Sequence, residues 1–217
     1  MFIFNQAGDI EYQVRATGIL STSAIDEGVT ADFGTVVHPG VLAAHHQHIL
    51  SLRIDTLIGS YSHGNTAVQQ EANPMPLDEY NPHGNGYRVV KSEITTEGGH
   101  DLDWAKSRVF SVKNPHIFNP INGLPISYKL MFPPVPPLLS HPSSFNARRA
   151  EFADHHLYVT KYRPDELFPG GKYTNQSKLV FNLKLRPLSR VTNTGDSCRP
   201  WRLWHQELDC QKSRKYR

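Results

Sequence analysis

Apolar and polar residues alternate with a period of two along much of this chain, the pattern of strands that turn one face to a core. Ile10, Tyr12, Val14 and Ala16 alternate with Glu11, Gln13 and Arg15, which predicts a half-buried strand within residues 9–20. Met1-Phe2-Ile3-Phe4 is strand-like as well, and the turn-forming Asn5-Gln6-Ala7-Gly8-Asp9 between the two predicts a hairpin. Residues 21–44 are rich in Gly, Thr and Asp and read as a long connection, of a length that often serves function. In the stretch that follows, positions 46, 48, 50, 52 and 54 share one face of an extended strand and read His, His, Leu, Leu, Ile. Residues 59–66 are turn-rich. Strand-like runs recur at Tyr87 to Ile94, Arg108 to Val112, Ile126 to Phe132 and Leu157 to Tyr162, separated by Asn, Pro and Gly clusters. That succession predicts an all-β protein built as an antiparallel β-sandwich. One short helix is predicted over Ser143 to Ala153, with Ser143 or Ser144 as its cap and Ala147, Ala150 and Ala153 favouring it. Phe132-Pro133-Pro134-Val135-Pro136-Pro137 reads as a rigid connection between strands, with a polyproline ligand for a partner as the alternative.

The strand beginning at His46 carries the candidate chemistry. Two residues along a strand span roughly 6.6–6.8 Å, so His46 and His48 can turn their rings onto one ion. Imidazole suits Cu, Zn, Ni and Fe alike, and the same spacing also fits two polar residues at a strand end. His45 points the other way on a regular strand and joins the same ion only across a bulge. His155 and His156 flank a strong strand and read as structural, while Asp101 and Asp103 read as a solvated acidic turn.

Composition narrows the classes. A chain of 217 residues, 38% hydrophobic and 20% charged, is long enough for a substantial core, and its 16 Pro and 15 Gly favour turns over long helices. No run approaches the 18 or so apolar residues of a membrane-spanning helix. Met1-Phe2-Ile3-Phe4-Asn5 lacks the basic and apolar regions of a signal peptide, and the compartment stays open. Glycine-rich phosphate loops, a Gly-x-Ser-x-Gly elbow and Cys-x-x-Cys pairs are missing from the sequence. Aromatic residues do not cluster with Lys or Arg in the body, so no nucleic-acid platform is expected. Residues 178–217 differ from the rest. They carry ten Lys or Arg against three Asp or Glu, and both cysteines, Cys198 and Cys210. The division expected is a body over residues 1–177 and a divergent basic tail over 178–217, solvated and poorly ordered or the product of a shifted frame.

His46-Gln47-His48-Ile49-Leu50-Ser51-Leu52-Arg53-Ile54-Asp55 resembles the copper-ligand strand of the copper-containing primary amine oxidases, a His-Gln-His, a short apolar run, then Arg, an apolar residue and Asp. Four further collinear stretches resemble the same family, its fungal members most. They are Arg15 to Thr22, Asn119 to Gly123, Arg148 to Ala153, and Leu157 to Tyr162 with its continuation Gly171 to Ser177. The resemblance implies a large antiparallel β-sandwich, here truncated, from the C-terminal catalytic domain of a homodimeric enzyme. Such enzymes convert a primary amine, O2 and water to an aldehyde, ammonia and hydrogen peroxide. They use copper and topaquinone, a quinone made from one of the protein's own tyrosines. Carried over by position, His46 and His48 match two copper ligands. Asp55 and the carbonyl of Thr56 match part of a second site for a hard cation such as calcium, and an ion pair with Arg53 is the competing role for Asp55.

The match is incomplete. In the family, the quinone tyrosine and the base aspartate precede the segment that Met1 to Phe4 resembles. The third copper histidine follows the block ending at Ser177, where this chain offers only His205 in unlike surroundings. Thr56-Leu57-Ile58-Gly59-Ser60 offers no acid where the family usually continues after the Arg-x-Asp to an acidic residue and Gly. The expectation is a copper amine oxidase fragment with no catalytic residue of its own, inactive alone and prone to aggregate through exposed strand edges. A non-catalytic metal-binding or dimer-partner β-sandwich is the alternative. A cupin-type site is disfavoured because Leu52 and Arg53 stand where its carboxylate is needed.

Overall fold

The computed structural model describes residues 1–59, 64–133, 138–163 and 167–170, and the backbone of 201–209. Regular structure among them is almost all strand, in two compact units. The first takes in Met1–His48. It contains β1 (Phe2–Phe4) and β2 (Ile10–Tyr12), paired antiparallel as the expected hairpin. The turn is fastened by Asp9 N–H donating to Asn5 Oδ1 at 3.0 Å and by Asn5 Nδ2 donating to Asp9 Oδ2 at 2.8 Å. The alternation does not bury a face here. All six residues of β1 and β2 are exposed, and the Phe2 and Tyr12 rings lie 4.9 Å apart on the hairpin surface.

Residues 21–44 are not one long connection. They form a three-stranded antiparallel sheet in the order β3 (Thr22–Ala24), β5 (Val41–Ala44), β4 (Gly34–His38). Leu42 and Ala43 of the central strand are its buried residues. Gly34 sits so close to β5 that a Cβ there would lie 2.7 Å from Leu42 Cδ1, which is why only glycine opens β4.

The second unit, Ile49–Leu208, holds two four-stranded sheets. One has the order β11 (Pro125–Leu130), β10 (Val109–Phe118), β7 (Thr66–Pro74), β8 (Tyr87–Glu93), with antiparallel pairs throughout. The other runs β6 (His48–Asp55), β13 (Trp201–Asp209), β12 (Leu157–Lys161), β9 (Gly98–His100). Both contribute to one apolar cluster. Ala67 of β7 and Phe110 and Val112 of β10 meet Leu157 and Val159 of β12, with Ile54 of β6 and Ile126 and Leu130 of β11 packed against them. This is the sandwich that the recurring strands predict. Phe110 and Leu157 are 1% and 0% exposed, so each contributes about 2–3 kcal/mol of burial.

The helical expectation is met in part. Ser144 caps α1 (Phe145–Arg149), its Oγ accepting from Ala147 N–H, and the helix ends at Ala150, whose φ of −112° and ψ of 32° leave the helical region. A 3₁₀ turn over Glu151–Ala153 then leads toward β12. The proline-rich connection after Phe132 and the block Gly171 to Ser177 lie largely or wholly outside the described residues. Within the basic tail the described residues are those of β13, which pairs antiparallel with β12 so that Leu157 faces His205 in register. Ser177 and both cysteines lie outside them.

Candidate metal centre

His46 and His48 come together, though not as two residues of one regular strand. β6 begins at His48, and His46 lies in the non-strand link that follows β5. Their rings meet edge to face with centroids 4.9 Å apart. His46 Nδ1 lies 3.2 Å from the carbonyl oxygen of Ala44. A carbonyl can only accept, so this contact needs the proton on Nδ1, and a neutral ring then presents its lone pair at Nε2. That is the ring orientation and tautomer of a histidine set up as a metal ligand, with a backbone carbonyl as the orienting partner. Both rings form part of the wall of a cavity of about 510 Å³, whose other walls include Thr17, Ser21, Ser23 and Ala44. The stretch Arg15 to Thr22 thus supplies part of the same cavity as the histidine pair. The donor set suits copper, because two imidazole nitrogens are ligands of the right softness. Among the described residues no group of three or more His, Cys, Asp or Glu converges as a metal site, so the two histidines stand there as a pair.

Asp55 and Thr56 lie at the other end of β6. Asp55 Oδ2 is 3.6 Å from Arg53 Nη2, the ion pair that competes with a cation role. The side-chain amide of Asn65 donates to the Thr56 carbonyl and, at 3.1 Å, to Thr56 Oγ1. Asn65 is 3% exposed, and its Oδ1 has no hydrogen-bond partner among the described residues. Sequence reasoning passed over Asn65, whose only signal is its place in the turn-rich Gly64-Asn65-Thr66.

Asp101 corrects the reading of a solvated acidic turn. Its carboxylate accepts from His155 Nδ1 at 2.7 Å, from His156 Nδ1 at 2.8 Å and from His156 N–H at 3.1 Å. Burial pushes this carboxyl upward, but the hydrogen bonds from His155 and His156 outweigh it and hold the group below the usual carboxylate value. Asp103 caps the 3₁₀ turn Trp104–Lys106 and lies 3.7 Å from Arg108, whose guanidinium also meets Glu71 at 2.7 Å. His155 and His156, read from the sequence as structural, both hydrogen-bond the Asp101 carboxylate. Next to them, burial pushes the His100 imidazole below its usual value, with a smaller contribution from the nearby His155. Burial likewise holds the Tyr158 hydroxyl protonated well above its ordinary range, while it donates to the Glu151 carbonyl at 2.8 Å.

The copper amine oxidase enzyme-domain family model matches residues 1–194, and so reaches past Ser177. Copper amine oxidase 1 of Aspergillus niger is 41% identical over 196 residues, covering 89% of this chain and 28% of that protein. Copper amine oxidase 1 of Schizosaccharomyces pombe is 35% identical over 180 residues, covering 81% of this chain and 25% of that protein. Among solved structures, a copper-containing benzylamine oxidase from Hansenula polymorpha superimposes with a TM-score of 0.86 at 36% identity, over 96% of this chain and 32% of that one. The chain therefore spans about a third or less of the length of these relatives. A family match over nearly all of its residues, carried on the same fold, shows that the chain belongs to the copper amine oxidases, as a stretch of their enzyme domain.

Proposed function

We propose that His46 and His48 are two of the copper ligands of a primary amine oxidase, and that this chain works as part of a longer, homodimeric polypeptide. The observation that carries the reading is the histidine pair itself. It resembles the family's His-Gln-His in sequence, its rings meet at 4.9 Å, and the Ala44 carbonyl sets His46 to offer Nε2. The reaction is the conversion of a primary amine, O2 and water to an aldehyde, ammonia and hydrogen peroxide. Copper, when bound, supplies the one-electron chemistry with O2 through which a tyrosine becomes topaquinone. The part of this chain is to hold and orient. The Ala44 carbonyl fixes the His46 ring, and β6 carries His48 at the start of a strand anchored by Ile54 against the sandwich core. The quinone tyrosine, the base aspartate and the third histidine are assigned to other parts of the polypeptide, so the 217-residue chain does not turn over by itself.

The test is peroxide release from benzylamine and histamine after loading with copper. The complete polypeptide is expected to release peroxide, and to lose that activity with His46→Ala or His48→Ala, while the 217-residue chain alone releases none. Peroxide from the chain alone, or undiminished turnover in a complete polypeptide lacking both histidines, would overturn the reading.

A further inference from the structure

We infer that Asn65 takes the place of the hard cation that the resemblance implies beside Asp55 and Thr56, so that the link from β6 to β7 is closed by an amide instead of an ion. A calcium-type site needs six to eight oxygen ligands converging on one point. Here both oxygens of Thr56 already face a donor, since Asn65 Nδ2 is hydrogen-bonded to the carbonyl and to Oγ1. The amide hydrogens occupy the direction from which a cation would approach. Asp55 is turned to the Arg53 guanidinium at 3.6 Å, and a second positive charge at its carboxylate would compete with one already there. The stretch Thr56-Leu57-Ile58-Gly59-Ser60, within which the family usually has an acid, brings no carboxylate.

Asn65 is the residue that decides between the two states. It is 3% exposed, so water does not take over its contacts, and its Oδ1 is buried without a partner among the described residues. Turning the amide over would bring Oδ1 against the Thr56 carbonyl, lone pairs against lone pairs, an arrangement that only a cation between them would stabilise. As built, the amide makes two hydrogen bonds and leaves one acceptor unmet. Asn65→Asp would replace the donor by an anionic oxygen next to Thr56 and so restore the character of a cation site. The inference is independent of copper at His46 and His48.

Equilibrium dialysis against Ca2+ tests it, read as ions bound per chain at about 1 mM, the weak end of the range for protein calcium sites. The unsubstituted protein and Asp55→Asn are expected to bind Ca2+ equally little, with the same thermal midpoint in Ca2+ as in EDTA. Asn65→Asp is expected to gain a saturable site with affinity at least about tenfold higher. One Ca2+ per chain in the unsubstituted protein, lost in Asp55→Asn, overturns the inference. If Asn65→Asp does not fold, the comparison with Asp55→Asn decides the matter without it.

Discussion

Replacing Asp101 by alanine removes the acceptor that joins the end of β9 to the entrance of β12. Three hydrogen bonds go at once, from His155 Nδ1 at 2.7 Å, His156 Nδ1 at 2.8 Å and His156 N–H at 3.1 Å. A hydrogen bond to a charged group is worth about 1.5–3 kcal/mol when well shielded. The side chains here are 43% exposed for Asp101, 37% for His155 and 24% for His156, so water recovers much of each bond. Discounted to about 0.5–1 kcal/mol each, the three together give a destabilisation of about 2 kcal/mol. The contact of Arg108 Nη1 with the Asp101 carbonyl oxygen at 3.1 Å involves the backbone and survives the change. The pH dependence separates this cause from a packing defect. Because the folded carboxyl lies below its ordinary value, its stabilisation is fully present above the unfolded pKa of about 4 and disappears as pH falls through the folded value. Urea denaturation of the two proteins at several pH values is the assay. The gap between them should be present at pH 7 and shrink below about pH 4. A gap under about 0.5 kcal/mol at pH 7, or one of undiminished size at pH 3, would refute the reasoning.

Two further changes probe the same sandwich. Leu157→Ala empties a fully buried site where β12 meets Phe110 and Val112, and should cost about 3–4 kcal/mol in urea denaturation. A loss below about 1 kcal/mol would mean the cluster is not the core. Gly99→Ala places a Cβ 2.1 Å from His155 Cδ2, so the ring must leave Asp101. The expected cost is about 1–3 kcal/mol, and in the Asp101→Ala background it should be smaller, since the ring is then free to move.

Much of the fold was legible where strands are bounded by chemistry and backed by a core. Leu50, Leu52 and Ile54 fall on one face of β6, and Ile54 packs against the core. Ser144 announced the start of α1, and Asn5 to Asp9 announced the first hairpin. The strands of residues 22–44 were not visible because they are three to five residues long and owe their extension to pairing, with β5 between two neighbours. β7 was hidden for a related reason. After Ala67 and Val68 its middle is Gln69, Gln70 and Glu71, polar residues held by β8, by β10 and by Arg108. At the candidate site the histidine pair was legible from spacing, but not its geometry. The ring of His46, in the link after β5, is set by the carbonyl of Ala44 at the end of that strand, a contact that no side-chain pattern encodes. Asn65 was passed over and the partners of Asp101 were not visible because those partners lie 9 and 54 or more residues away.

Electron paramagnetic resonance during a Cu(II) titration tests the central claim most directly, comparing the chain with His46→Ala and His48→Ala. The account predicts one Cu(II) per chain, with splittings from imidazole nitrogen. Loss of an outer partner of a ligand already lowers affinity 10–100-fold, so loss of either ligand should lower it by about 100-fold or more. Equal affinity and an unchanged spectrum in both variants would contradict it, and would place any copper elsewhere than at His46 and His48.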